Sequence, residues 1–171
     1  VAVAQACRLL AGDGHDSAAA LRAQALRCEA LCAAMDFRAL YDGKRHLFHI
    51  GLHTDDNALD AGHYDLLASE ARLLSFLAIA KGDVPRRHWS ALGRIFLPVG
   101  LRAGLKSWSG SMFEYLMPLL VMDEPRGSLL RGACGAAVQA QRAFARARIL
   151  PWGISESAYA ARDHSLAYQY A

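Results

Sequence analysis

Three glutamates stand among aromatic, apolar and small residues instead of among other charges. Glu70 lies in YDLLASEAR, Glu114 in SWSGSMFEY and Glu156 in PWGISESAY. A carboxylate in such surroundings costs free energy unless it is hydrogen-bonded or kept protonated. Sites that hold sugars have this makeup. Trp and Tyr faces stack on pyranose rings, and carboxylates accept bonds from sugar hydroxyls. Glycoside chemistry needs two carboxyls, one as acid or base and one as nucleophile or water activator. The competing reading is that a lone glutamate on a helix is a solvated surface residue. Composition alone leaves both open.

The other chemistry-bearing residues point less clearly to a site. Asp55, Asp56, Asp83, Asp123 and Glu124 fall in turns and read as solvated or capping. The histidines (His15, His46, His49, His53, His63, His88 and His164) show no HExxH or other metal spacing. His49 and His53 can share a strand neighbourhood, but a surface role explains them more simply. Neither GxGxxG nor a P-loop is present, and Ser109-Gly110-Ser111 lacks the GxSxG frame. No metal and no cofactor are expected. Cys28 and Cys32 have no second pair of ligands in sequence, so with Cys7 and Cys134 they read as buried free thiols.

The 171 residues are 54% hydrophobic and 20% charged, the profile of one packed domain. Alanine is abundant and β-branched residues are few, which favours helix. The net charge of +3 is small and spread along the chain. Arg142, Arg146 and Arg148 form a short basic cluster that a solvated helix face explains. No dense basic stripe with interleaved aromatics marks a nucleic-acid surface. The longest apolar runs, Leu73–Ala80 and Leu116–Met122, fall well short of the roughly 20 residues a membrane span needs. The chain starts at Val1 and stops at Ala171 inside a motif-rich stretch, so it reads as a piece of a longer protein.

The elements that would position the glutamates follow from periodicity. A helical stub over 1–11 ends near Gly12 and Gly14. Asp16 and Ser17 offer an N-cap for a helix to about Met35, with Leu21, Ala25, Cys28, Leu31 and Cys32 on one face. Phe37–Tyr41, Asp42-Gly43 and Leu47–Leu52 read as a β-hairpin with a type I′ turn. Thr54–Asn57 reads as a polar turn. From about His63 the spacing predicts a helix that carries Glu70 and ends at Gly82. Pro85 opens a short helix through Trp89 and Leu92. Ile95–Leu105 reads as a loop or short strand and Ser107–Gly110 as a turn. A helix starts at Met112 and is bounded by Pro118. A long helix runs from about Ser128 to Arg148 and is stopped at Pro151-Trp152-Gly153. Ser155–Arg162 starts a new helical turn or loop. The expected fold class is all-α, α-dominated, with a small β-hairpin insert.

From about Ala34 onward the chain resembles the middle region of cyclic β-1,2-glucan synthases, large membrane enzymes of bacteria. The stretches MDFRALYDGKRHLFHIG, YDLLASEARLLSFLAIAKGDVPRRHW, SWSGSMFEYLMPLL and PWGISESAYAARDHSLAYQY carry the resemblance. It implies that residues 36–171 are the N-terminal portion of a glycoamylase-like (α/α)6-barrel domain, and that residues 1–35 are a helical segment leading into it. It further implies closure of linear β-1,2-glucan into a ring by anomer-retaining transglycosylation, with the two carboxyls about 5–5.5 Å apart. Carried over, Glu156 is the nucleophile and Glu70 the acid/base. Glu114, Trp108, Trp152 and Tyr159 hold substrate. The implied partners are the β-1,2-glucan and the glycosyltransferase and phosphorylase-like parts of the same polypeptide. The implied location is the cytoplasmic face of the bacterial inner membrane. Two readings compete with this one: an endo-β-1,2-glucanase, and a non-catalytic glucan-binding or scaffold module.

Overall fold

The computed structural model describes residues 2–12, 18–156, 158–164, 166 and 168–170. The chain divides into two compact units, Val1–Ala39 and Leu40–Ala171. The first holds α1 (Ala2–Gly12) and α2 (Ala18–Ala34), which pack on each other. An ion pair joins Arg8 of α1 to Glu29 of α2. The expected cap at Asp16 and Ser17 lies outside the described residues. Of the five residues on the anticipated apolar face of α2, Ala25 is buried, whereas Leu31 is exposed.

The second unit overturns the all-α expectation. Over the chain as a whole about 48% of the residues are helical and 15% lie in strands, spread over four small sheets. The described residues form six α-helices, too few for any (α/α)6 barrel. A barrel of that kind is made of paired helices of similar length. Here α4 (Arg87–Ala91) and α5 (Met112–Leu116) have five residues each and α6 (Leu129–Arg148) has twenty. A β-hairpin separates α4 from α5, and a 3-10 turn (Met117–Leu120) follows α5 before α6.

Strands β1 (Tyr41–Asp42), β2 (Leu47–His49) and β5 (His63–Tyr64) form an antiparallel sheet in the order β1-β2-β5. Asp42 pairs with Leu47 across a four-residue loop, Gly43–His46, instead of the two-residue turn that Asp-Gly suggests. The Asp42 side chain sets that loop: its Oδ1 accepts the N–H groups of Lys44 and Arg45. The polar turn Thr54–Asn57 links β3 (Leu52–His53) to β4 (Ala58–Leu59). Strands alternate faces, so Phe48 turns away from Leu47 and His49. Phe48 is 1% exposed, its ring 4.7 Å from that of fully buried His88. His88 Nδ1 faces the His46 carbonyl at 2.7 Å and so carries the proton, while Nε2 accepts from Ser75 at 2.9 Å. Burial lowers the His88 pKa, and the bond to His46 offsets only part of that.

Helix α3 (Arg72–Lys81) begins nine residues later than the period from His63 suggests. Hydrogen bonds from Leu67 N to Gly93 O and from Gly93 N to Asp65 O, 3.0 and 2.6 Å, hold the intervening segment extended. A Cβ at Gly93 would meet Asp65 O at 3.1 Å and a Leu66 methyl at 3.2 Å, so this close approach favours glycine. Leu66, Leu67 and Ala68 are therefore buried from an extended segment, and Glu70 sits in the turn before α3. Gly82 caps α3 in the left-handed conformation at φ 81°.

Ile95–Leu105 resolves into a hairpin, β6 (Phe96–Val99) with β7 (Arg102–Leu105). Gly104 lets β7 approach α6, because a Cβ there would lie 3.2 Å from that of Ala136. Leu67, Leu92, Leu105, Met112, Tyr115, Leu130, Ala133 and Cys134 form the core of this unit. Ser128 caps α6, which ends at Ile149 in the left-handed conformation, before Pro151 is reached. Within the helical turn or loop expected over 155–162 lies a strand, β8 (Ala158–Arg162), paired with β9 (Tyr168–Tyr170). Cys134 is buried as expected, but Cys7, Cys28 and Cys32 are only half-buried; none of the four forms a disulfide.

Candidate functional site

The turn Ser107–Ser111 is organised by one side chain. The Glu114 carboxylate accepts from Trp108 N (2.8 Å), Ser109 N (3.1 Å) and Ser111 N (2.9 Å). It also accepts from the hydroxyls of Ser107 (3.0 Å), Ser109 (2.6 Å) and Ser111 (3.1 Å). The Ser111 hydroxyl in turn accepts the Glu114 N–H, completing a capping box at the start of α5. Glu114 is 2% exposed. Burial alone would raise its pKa, but the bonds from Ser109, Ser111 and Ser107 outweigh burial and hold the carboxyl below its ordinary range. Both oxygens of Glu114 are thus engaged inside the protein, and its chemical effect is to fix the loop that carries Trp108.

A second buried charge ties that loop to the Glu70 turn. Arg72, 1% exposed, donates to the carbonyls of Ser69 (2.9 Å), Glu114 (2.8 Å) and Tyr115 (2.8 Å), and faces Glu124 at 3.4 Å. One guanidinium thereby spans the first turn of α3, α5 and the segment before α6. Its planar fork of donors suits that role.

Trp108 stacks on Tyr64, ring centroids 5.2 Å apart and 22° between planes, and donates from its indole nitrogen to Asp65 Oδ1 at 2.9 Å. It remains 43% exposed. Glu70 is half-buried beside Ser69, whose hydroxyl donates to it at 3.2 Å. Glu156 is exposed. The segment before it is docked on α5: Met112 N donates to Ile154 O, Phe113 N to the Ser155 hydroxyl, and the Gln141 amide to both Gly110 O and Ile154 O. Burial raises the pKa of the Tyr64 hydroxyl, and the charges of Glu70 and then Glu156 raise it further. Two carboxylates distant in sequence therefore act on one hydroxyl at the edge of an aromatic stack.

Trp152 lies elsewhere. It is 53% exposed under the Arg142 guanidinium, 5.9 Å from ring centroid to carbon, and lines a small groove of about 210 Å³ with Arg146 and Leu150. Tyr159 lies in β8. Tyr64, Asp65 and Arg72 were not singled out from sequence. The stretch YDLLASEAR holds all three beside Glu70, but its apparent helical period hid which way each side chain points. Asp42, His49 and His63 also converge, with one potential ligand atom from each within 4.8 Å of the others. No helix among the described residues is long and apolar enough to cross a membrane.

No family model matches the chain. It is 53% identical over 144 residues to the cyclic beta-(1,2)-glucan synthase NdvB of Rhizobium meliloti (strain 1021). The match takes in 84% of this chain and spans 5% of that relative's length. The chain belongs to the cyclic β-1,2-glucan synthase family.

Proposed function

We propose that this chain is part of the ring-closing machinery of a cyclic β-1,2-glucan synthase, acting by anomer-retaining transglycosylation with Glu70 as acid/base and Glu156 as nucleophile. The observation that supports this reading is the shared effect of Glu70 and Glu156 on the Tyr64 hydroxyl, beside the exposed Trp108 ring. In such a reaction Glu70 protonates the leaving glycosidic oxygen while Glu156 attacks the anomeric carbon. The C–O bond to the leaving sugar breaks as the glycosyl-enzyme ester forms. Glu70 then removes the proton from the hydroxyl at the far end of the same glucan. That oxygen displaces Glu156 and closes the ring. Water is the competing acceptor, so ring closure depends on keeping it out.

Trp108 and Tyr64 supply the stacking surface for a pyranose, and Trp152, set apart from that stack, takes a more distant sugar unit of the same glucan. Glu114 acts from beneath by fixing the Trp108 loop. The test uses the complete synthase with linear β-1,2-glucan, product masses being compared for the parent and for Glu156→Gln. Cyclic product, one water lighter than the linear chain, should form with the parent and disappear with Glu156→Gln. Shortened linear glucan alone would replace this reading with hydrolysis. Ring closure unaffected by the substitution would leave the segment a binding or scaffold module.

A further inference from the structure

The sheet β1-β2-β5 has one face in the core and one face that gathers Asp42, His49 and His63. The register makes this unavoidable. Asp42 is opposite Leu47, His49 is two residues on from Leu47, and His49 is opposite His63. With a side-chain period of two, all three project to the face away from Phe48. The side chains of His63 and Asp42 are 7% and 19% exposed, so the cluster is recessed yet reachable.

Asp42 and His49 are held in the form a metal ion requires, while His63 Nε2 donates to Asp42 Oδ2 and would release that proton on binding the ion. Asp42 uses Oδ1 to bind the N–H groups of Lys44 and Arg45, which leaves Oδ2 facing His63 Nε2 at 3.2 Å. His49 Nδ1 lies 2.6 Å from the Asp60 carbonyl. It therefore carries the proton and leaves Nε2 with a free lone pair, the backbone-carbonyl arrangement that orients ligating imidazoles. The His49 and His63 rings lie 4.3 Å apart between centroids. Two ligands each about 2.1 Å from one zinc ion at a near-tetrahedral angle lie about 3.4 Å apart, near the 3.2 Å between Asp42 Oδ2 and His63 Nε2. The nearest competing cation is the Arg45 guanidinium, 4.0 Å from Asp42 Oδ2 on an exposed side chain. His53 pairs instead with Asp60, at 3.6 Å.

We propose that Asp42, His49 and His63 form a binding site for a divalent first-row transition metal of the zinc type, with two imidazoles, one carboxylate and a fourth position open to water. Two nitrogens and one oxygen suit zinc or its neighbours better than calcium or magnesium, which take oxygen ligands. The ion would cross-link three strands and stiffen the strand whose next residue, Tyr64, stacks on Trp108.

The experiment titrates the purified, metal-free chain with Zn²⁺, and with Co²⁺ as a spectroscopic stand-in. X-ray absorption at the zinc edge of the unaltered chain then reads the donor atoms directly. One ion per chain should bind, with nitrogen and oxygen donors and no sulfur. Asp42→Asn and His49→Gln should each weaken binding at least tenfold, while His53→Gln and Cys28→Ser should leave it unchanged. Failure of saturable binding would overturn the site. So would a sulfur-containing shell, or binding that survives His49→Gln and is lost with Cys28→Ser.

Discussion

Replacing Glu114 by glutamine changes one oxygen into an amide nitrogen and removes a charge, with almost no change in volume. The two oxygens are surrounded only by donors. Trp108 N and Ser109 N point at Oε1, while Ser111 N and the hydroxyls of Ser107, Ser109 and Ser111 point at Oε2. If the new NH₂ took the Oε1 position it would face two backbone N–H groups. At the Oε2 position the hydroxyls can reorient, but Ser111 N–H cannot. The better orientation therefore leaves one buried backbone donor unpaired, at about 1–3 kcal/mol, and weakens several charge-assisted bonds to neutral ones. We predict a loss of about 3–4 kcal/mol for Glu114→Gln. Ser111→Ala, which removes the helix cap but leaves the carboxylate, should cost about 1 kcal/mol. Urea denaturation followed by tryptophan fluorescence measures both. A Glu114→Gln loss below about 1 kcal/mol, or a Ser111→Ala loss as large as that of Glu114→Gln, would refute the view that the carboxylate organises this loop.

Further outcomes follow from the same structure. Arg72→Met keeps the buried stem but strips the donors from three carbonyls and leaves Glu124 without its partner. It should destabilise the fold by about 3–5 kcal/mol in the same urea assay. His88 is buried neutral with a lowered pKa, so as pH falls below the ordinary histidine value of about 6.5 the unfolded chain takes up a proton that the folded chain refuses. Its contribution to stability is thus intact above that value and lost on the way down to the folded-state pKa. The urea midpoint should drop between about pH 7.5 and pH 5.5, with a smaller drop in His88→Gln. For Glu114 the depressed pKa gives stability that is present above the unfolded carboxyl value and is lost as pH falls through the folded one. Thermal melts through the acid range should show that loss shrinking in Glu114→Gln. Gly93→Val would push a branched side chain onto the Asp65 carbonyl and should disturb the Tyr64–Trp108 stack, read as altered Trp108 fluorescence.

Local rules succeeded where neighbouring residues decide the structure. Gly82 ends α3 because only a left-handed residue closes that cap, and Ser128 and Ser111 start α6 and α5 with hydroxyls already in place. They failed where a distant strand wins. Leu66, Leu67 and Glu70 have helical spacing, but the backbone of Gly93 captures the segment first and holds it extended. Likewise 158–162 pairs with 168–170, a partnership that lies beyond any local window. The same limit governs the candidate site. Glu70, Glu114 and Glu156 could be singled out from their neighbours, yet the saturation of Glu114 depends on Ser107 and Ser109 folding back over it. Asp42, His49 and His63 are separated by intervals that match no metal motif, and only the sheet register puts them on one face.

Trapping the covalent intermediate decides the proposed division of labour between Glu70 and Glu156. The complete synthase carrying Glu70→Gln is incubated with an aryl β-1,2-glucooligosaccharide whose leaving group needs no acid, and its mass is measured intact. A nucleophilic Glu156 whose acid/base partner is missing predicts a stable glycosyl adduct that peptide mapping assigns to Glu156, and whose turnover added azide restores. A glycosyl group on any other residue, or no adduct while ring closure proceeds at the parent rate, would contradict it.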